Sequence, residues 1–246
     1  MLLTQRVLNQ KATERSHLGS KIQADYSGIH FPVGPLRGKG VRKGETTRQK
    51  IIEQAAPLFN RLGYAGCSMQ DIMAATGLEK GGLYRHFGSK EELALEVFRY
   101  SLSRVSDVRW ERIEEIEGSV DKLSFMVRRF VQVQSIIPGG CPVMNTAIDA
   151  DDGNPALRKL VQKAVQEWKD KISRIVTGGI QRGEIHAGIE PRSIANIMIA
   201  ALEGALMISR LEGNRIAVHD AETLLDKVVI ELRTSPQPAG AAPFSF

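Results

Sequence analysis

The segment TGLEKGGLYRHFGSKEEL, residues 76–93, gathers hydrogen-bond donors around two adjacent glycines: Lys80, Tyr84, Arg85, His86 and Lys90 beside Gly81 and Gly82. Donors of these types bond phosphate oxygens and base edges. Glycine costs a helix about 1 kcal/mol relative to alanine. A doubled glycine in a helical segment therefore asks for a reason, and close approach of the backbone to another molecule supplies one. Other candidate chemistry is weaker. Asp149, Asp151 and Asp152 could hold a metal, but IDADDGNP reads more simply as a solvated loop ahead of an Asn154 cap. His186 and His219 stand alone. No G-x-x-x-x-G-K-[ST] phosphate loop or G-x-S-x-G nucleophile elbow is present. No cofactor or metal is expected, and the chain reads as a non-enzyme.

The elements around the glycines position these donors. Ile51, Ile52, Ala55, Leu58, Phe59 and Leu62 form an apolar stripe at helical spacing, closed by Gly63. Ser68-Met-Gln-Asp71 reads as a capping box with Asp in place of Glu, opening a second helix of barely two turns that Gly77 breaks. Ser89-Lys-Glu-Glu92 is a full capping box for a long fourth helix. Between them, Leu83 and Phe87 share one side, which points to the core with Leu78 behind it. Gly81, Gly82 and Arg85 then face outward, flanked by Tyr84 and His86. Two short helices joined by a tight turn, the second bare and cationic on its outer face, outline a helix-turn-helix.

The charge distribution agrees with that outline. Residues 1–90 hold 14 Lys and Arg against 6 Asp and Glu, a net of +8, whereas residues 91–246 net −3. A cationic segment on a slightly acidic body suits a nucleic-acid-binding module. Two cysteines, Cys67 and Cys141, are too few for a disulfide framework and fit a reducing compartment. No uninterrupted apolar run reaches the ~18 residues of a membrane span and no secretory signal is evident, so a cytoplasmic location without membrane contact is expected. Residues 1–44, punctuated by glycine and proline, read as a disordered basic extension, either a DNA arm or a solubilising tail. The expected organisation continues with a DNA-binding domain over 45–92, a helical body over 93–233 and a disordered tail over 234–246. No alternating run is long enough for a strand, so the fold is expected to be all-α.

The stretch from Thr47 to about Tyr100 closely resembles the DNA-binding domain of the TetR/AcrR family of bacterial transcriptional regulators. The matching pieces are LFNRLGYAG, MQDIMAATGL, GGLYRHF and SKEEL. The resemblance implies an all-α homodimer, each subunit with three N-terminal DNA-binding helices and a C-terminal ligand-binding and dimerisation body. It implies that Ser68, Tyr84 and Lys90 bond phosphates, and that Thr47 at the first helix start, Lys80, Gly81, Gly82, Arg85 and His86 face the groove or its edges. Many relatives carry a side chain where this chain has Gly82, which leaves fewer groups to read bases. The function implied is repression from an inverted-repeat operator in double-stranded DNA, relieved by a small-molecule inducer. A ligand-independent activator or architectural DNA-binding protein is the alternative, and a helical enzyme with an incidental basic end is a more distant one.

In the body, Asn154-Pro155 starts a long helix whose apolar face runs from Leu157 to Val176, and Pro191 opens another. Ala200, Ala201, Gly204, Ala205 and Ile208 give the latter a small-residue stripe, and the resemblance assigns it to the dimer interface. Val228, Val229 and Leu232 mark a last, shorter helix. Phe125, Phe130, Met144 and Trp168 are candidates for lining an inducer cavity, or are simple core. Cys141 in PGGCPVMN resembles the GC that begins a body helix in some relatives, a few of which sense electrophiles. A helix N-terminus would favour its thiolate; a buried inert thiol is the other reading.

Overall fold

The computed structural model describes residues 43–133, 136–151 and 153–234, so the expectations for residues 1–42 and 235–246 lie outside the described residues. Helix α1 (Lys43–Gly66) begins ahead of the expected boundary at residue 45, and Thr47 is its fifth residue rather than its start. Ile51, Ile52, Ala55 and Leu58 are buried, as the stripe predicts. Gly63 breaks the helix at φ 72°, ψ 173°, and one further turn follows. The Tyr64 N–H beyond this kink donates to the Asp149 carboxylate at 2.5 Å. Asp149 is thus not part of a solvated loop; it lies on a body helix and caps the kink. Glycine is needed at 63 on two counts, a left-handed φ and an Asp149 oxygen 2.8 Å from where a Cβ would stand.

Helix α2 (Met69–Thr76) opens on a reciprocal capping box. The Ser68 hydroxyl accepts the Asp71 N–H at 3.1 Å, and the Asp71 carboxylate accepts the Ser68 N–H at 2.7 Å. Gly77 ends it in the left-handed conformation. Helix α3 (Lys80–Tyr84) follows, its ladder extended by Arg85 N–H to the Gly81 carbonyl and Phe87 N–H to that of Leu83. Helix α4 (Lys90–Arg109) starts where Ser89 accepts the Glu92 N–H at 3.0 Å, but the Glu92 carboxylate takes the Gly88 N–H instead of that of Ser89. The full box is therefore at Ser68 and the offset one at Ser89, the reverse of the expectation. Caps of this kind contribute about 1 kcal/mol each.

The body continues with a 3-10 turn (Ile113–Glu115), α5 (Ser119–Gln132), α6 (Pro142–Ala150), α7 (Pro155–Gln181), α8 (Pro191–Glu212) and α9 (Ile216–Glu231). Asn154 caps α7 through the Leu157 N–H, with Pro155 at its first position. Helix α9 starts well before the Val228, Val229 and Leu232 stripe. No β-strand occurs among the described residues; Ile185 and Arg233 form an isolated bridge.

Three apolar clusters follow from this order. Ile51, Ile72, Leu83, Phe87, Leu93 and Val97 form the core of the head. Ala94, Phe98, Cys141, Leu157 and Val161 form a junction beneath it. Val127, Phe130, Ile172, Met198, Leu202 and Leu225 belong to the core of the body. Helix α4 contributes to the first two and carries Arg109 into the third region, so the expected boundary at residue 92 falls in the first turn of a helix that head and body share. Polar bonds tie α1 to the body as well. The Asn60 side-chain amide donates to the carbonyls of Pro138 and Gly140, both at 3.1 Å. The Asn145 amide donates to those of Asn60 and Gly139 at 2.9 and 2.8 Å.

Candidate DNA interface and effector site

Helix α3 is held from one side only. Leu83 and Phe87 are fully buried, and the Arg48 guanidinium covers the Phe87 ring at 4.5 Å while reaching Glu92 and Glu96 on α4. Arg48 braces the head, a role its sequence position alone does not announce. The opposite face is open. A Cβ on Gly81 would meet no atom within 4 Å, and one on Gly82 only the Leu78 side chain at 3.7 Å, ordinary contact. Neither glycine has a positive φ. Nothing within the subunit requires glycine at either position.

Around this bare patch the donors stand largely in solvent. Tyr84 is 41 % exposed with the Lys80 ammonium 6.0 Å above its ring. Lys80 and Arg85 are exposed, and His86 is half-buried. Lys90, in the first turn of α4, rests its ammonium 4.5 Å from the Tyr64 ring centroid. Ser68 differs: its hydroxyl donates to Asp71 at 2.6 Å, so its proton already has an acceptor within the cap. Thr47 is half-buried on α1. The structure thus gathers Lys80, Gly81, Gly82, Tyr84, Arg85 and His86 on or next to one short helix, with Lys90 opening the next.

In the body, three of the five candidate ligand residues converge. Phe130 and Trp168 stack with centroids 6.1 Å apart, and the Arg109 guanidinium lies 4.1 Å from the Phe130 centroid and 5.6 Å from that of Trp168. Arg109 also reaches the Cys141 sulfur at 3.9 Å and the Glu203 carboxylate at 3.8 Å. Met144 packs instead in the junction beside Cys141, and Phe125 is half-buried against the body core. Arg109 and Glu203 went unrecognised in the sequence. The readable signal was Glu203 itself, a lone carboxylate within the apolar run IMIAALEGALMI of α8.

Cys141 is the N-cap of α6, as its motif suggests, but its thiol is not activated. Burial pushes its pKa up to about 11, against a lowering by Arg109. Cys67 is likewise raised by burial, to about 12. Relative to an unperturbed thiol near 8.5, Cys141 at pH 7–8 is expected to alkylate roughly 100-fold more slowly in the native protein than in denaturant. Iodoacetamide labelling followed by mass spectrometry measures this, and native-state labelling as fast as in denaturant would restore the reactive-thiol reading.

The expected small-residue stripe on α8 divides between two faces. Ala205 is buried in the subunit core, and Ala201 is half-buried against it. Ala200 is exposed, Gly204 is half-exposed with open space around it, and Ile208 is 42 % exposed. Ile197, Met207 and Leu211 join this outer row, and Ile216, Leu224 and Ile230 are exposed on α9. Helix α8 is long and apolar enough to cross a bilayer by length and composition, yet only 28 % of that apolar window is buried within the subunit. A helix apolar on all sides needs cover on all sides.

Comparison with known proteins accords with this geometry. Residues 51–97 match the family model described as bacterial regulatory proteins, tetR family, and residues 119–225 match the tetracyclin repressor-like C-terminal domain. A TetR transcriptional regulator from Chloroflexus aurantiacus J-10-FL is 40 % identical, with a TM-score of 0.75 over 78 % of this chain and 98 % of its own. A TetR family regulator from Cytophaga hutchinsonii is 34 % identical, with a TM-score of 0.74 over 80 % of this chain and all of its own. The HTH-type transcriptional repressor DhaR of Mycobacterium sp. (strain GP1) is 26 % identical over 68 % of this chain and 84 % of its own.

Proposed function

The chain belongs to the TetR family of bacterial transcriptional regulators and is a DNA-binding transcriptional regulator, and from that premise we propose that it is a repressor, binding an inverted-repeat operator as a homodimer and released by a small-molecule effector. The observation that carries the reading is the open face of α3, where two glycines unneeded by the fold lie among exposed donors. A backbone free of Cβ atoms there can approach the floor or wall of the major groove. Lys80, Tyr84, Arg85, His86 and Lys90 then reach phosphates and base edges. Thr47 and Ser68 flank this surface, Ser68 by exchanging its Asp71 bond for a phosphate or by offering the helix-end amides it caps.

The apolar rows of α8 and α9 suit a second copy of the chain. Two heads related by a two-fold axis would read half-sites about 34–36 Å apart, and an effector favouring a different head spacing would shift the population off DNA. Repression is supported by the function named for the mycobacterial relative. The protein is read as acting in the cytoplasm, where its DNA is.

A mobility-shift assay on the protein's own promoter region tests the reading. Binding is expected to weaken steeply with salt, log K falling by about 0.9 per phosphate neutralised. A failure to shift that DNA, or a salt-independent shift, would count against it.

A further inference from the structure

Five helices each bring one residue to a single point in the body: Arg109 closes α4, Phe130 is on α5, Cys141 caps α6, Trp168 is on α7 and Glu203 is on α8. Arg109 reaches each of the other four. Glu203 is 9 % exposed as a residue, and neither of its oxygens has a hydrogen bond of good geometry. Burial pushes its pKa up, against lowering by Arg109 and by the adjacent Cys141 thiol. Its charged neighbour, Arg109, stands at 3.8 Å, in ion-pair range but beyond hydrogen-bonding distance. The guanidinium is instead drawn against the Phe130 and Trp168 rings. A buried carboxylate is costly unless donors satisfy it, and native unsatisfied groups are few enough to call for an explanation.

We propose that this cluster is the effector site, that its ligand is an organic cation bearing N–H donors, and that Arg109 is a tethered stand-in which the ligand displaces. With Arg109 in place the pair is neutral. An anionic ligand would add a second negative charge beside the buried Glu203, whereas a cation meets the carboxylate and two aromatic rings that attract positive charge. A second cation beside this already neutral pair would leave an uncompensated positive charge in a buried site, and the departure of Arg109 to solvent relieves that cost. The arginine side chain is 15 % exposed, and it is the last residue of α4, so it has a way out to solvent. The other end of α4 begins at Lys90, directly after the α3 segment. Freeing Arg109 loosens the far end of the helix that carries the reading head. The consequence for DNA rests on the proposed function; the ligand class does not.

Benzamidinium is a suitable probe, with neutral benzamide and anionic benzoate as controls, on the full chain carrying Trp110→Phe so that Trp168 is its one tryptophan. Benzamidinium is expected to change Trp168 fluorescence saturably and to raise Tm, while the controls do neither. Glu203→Gln is expected to weaken its binding about ten-fold or more, the loss of a charged hydrogen-bond acceptor. Arg109→Ala is expected to strengthen it by removing the competitor. Should that variant not fold, Arg109→Lys, a competitor lacking the planar fork, is expected to do so to a smaller degree. Preference for benzoate, binding indifferent to Glu203→Gln, or no saturable benzamidinium binding to either the parent or the Arg109 variant would overturn the assignment. An intact operator shift alongside absent cation binding defeats this inference alone; an absent shift in ligand-free protein defeats the proposed function instead.

Discussion

Ile208→Glu combined with Leu211→Glu is expected to convert the protein into a folded monomer and to lower operator affinity roughly 100-fold or more, the avidity lost when two linked contacts become one. Both side chains are already solvent-facing in the subunit, Ile208 at 42 % and Leu211 at 81 % exposed, so carboxylates there leave the core intact. In a two-fold interface each substitution appears twice, placing like charges on a surface that must be desolvated. Helical circular dichroism and thermal unfolding should therefore still report a folded chain, while sedimentation reports half the mass. Ala205→Glu is the contrasting case, because Ala205 faces the subunit core and its replacement buries a charge there. That variant is expected to lose the fold as well as the dimer. A parent protein that sediments as a monomer at micromolar concentration, or a double variant that still dimerises, would remove α8 from the interface.

The contrast between Ile208 and Ala205 also shows where sequence reasoning stopped. A helix with an apolar stripe and a polar remainder announces its buried face, as α1 does with Ile51, Ile52, Ala55 and Leu58. Helix α8 is apolar nearly all round, so periodicity cannot say which side meets the subunit and which the partner. The head was legible because its signals are local: serine caps, Gly77 in the left-handed cap, and Leu83 with Phe87 four residues apart. The reach of those signals is short. Asp149 caps a kink 85 residues upstream, and no local pattern connects an acidic stretch to a glycine that far away. Arg109 and Glu203 are likewise joined only by tertiary packing. Cys141 was placed correctly at a helix start, but its reactivity depends on burial, which outweighs the helix terminus and the nearby guanidinium.

Gly81→Ala with Gly82→Ala is expected to move stability and function in opposite directions. Both positions have space for a methyl group and neither backbone is left-handed, so alanine should stabilise the head by about 0.5–1 kcal/mol per site through helix propensity and a less flexible unfolded chain. Tm should rise by a few degrees if the change is felt globally. If the α3 backbone approaches DNA at this point, two added methyl groups hold it off by about a carbon radius, and operator affinity should fall about ten-fold or more as nearby hydrogen bonds stretch. The salt dependence separates this effect from a loss of charge. Arg85→Ala, where it removes a phosphate contact, should lower the slope of log K against log salt by about one. The glycine variant keeps every cation and should keep the slope while losing affinity. A protein that gains stability and binds its operator as tightly as before would show that the bare face of α3 does not meet the duplex.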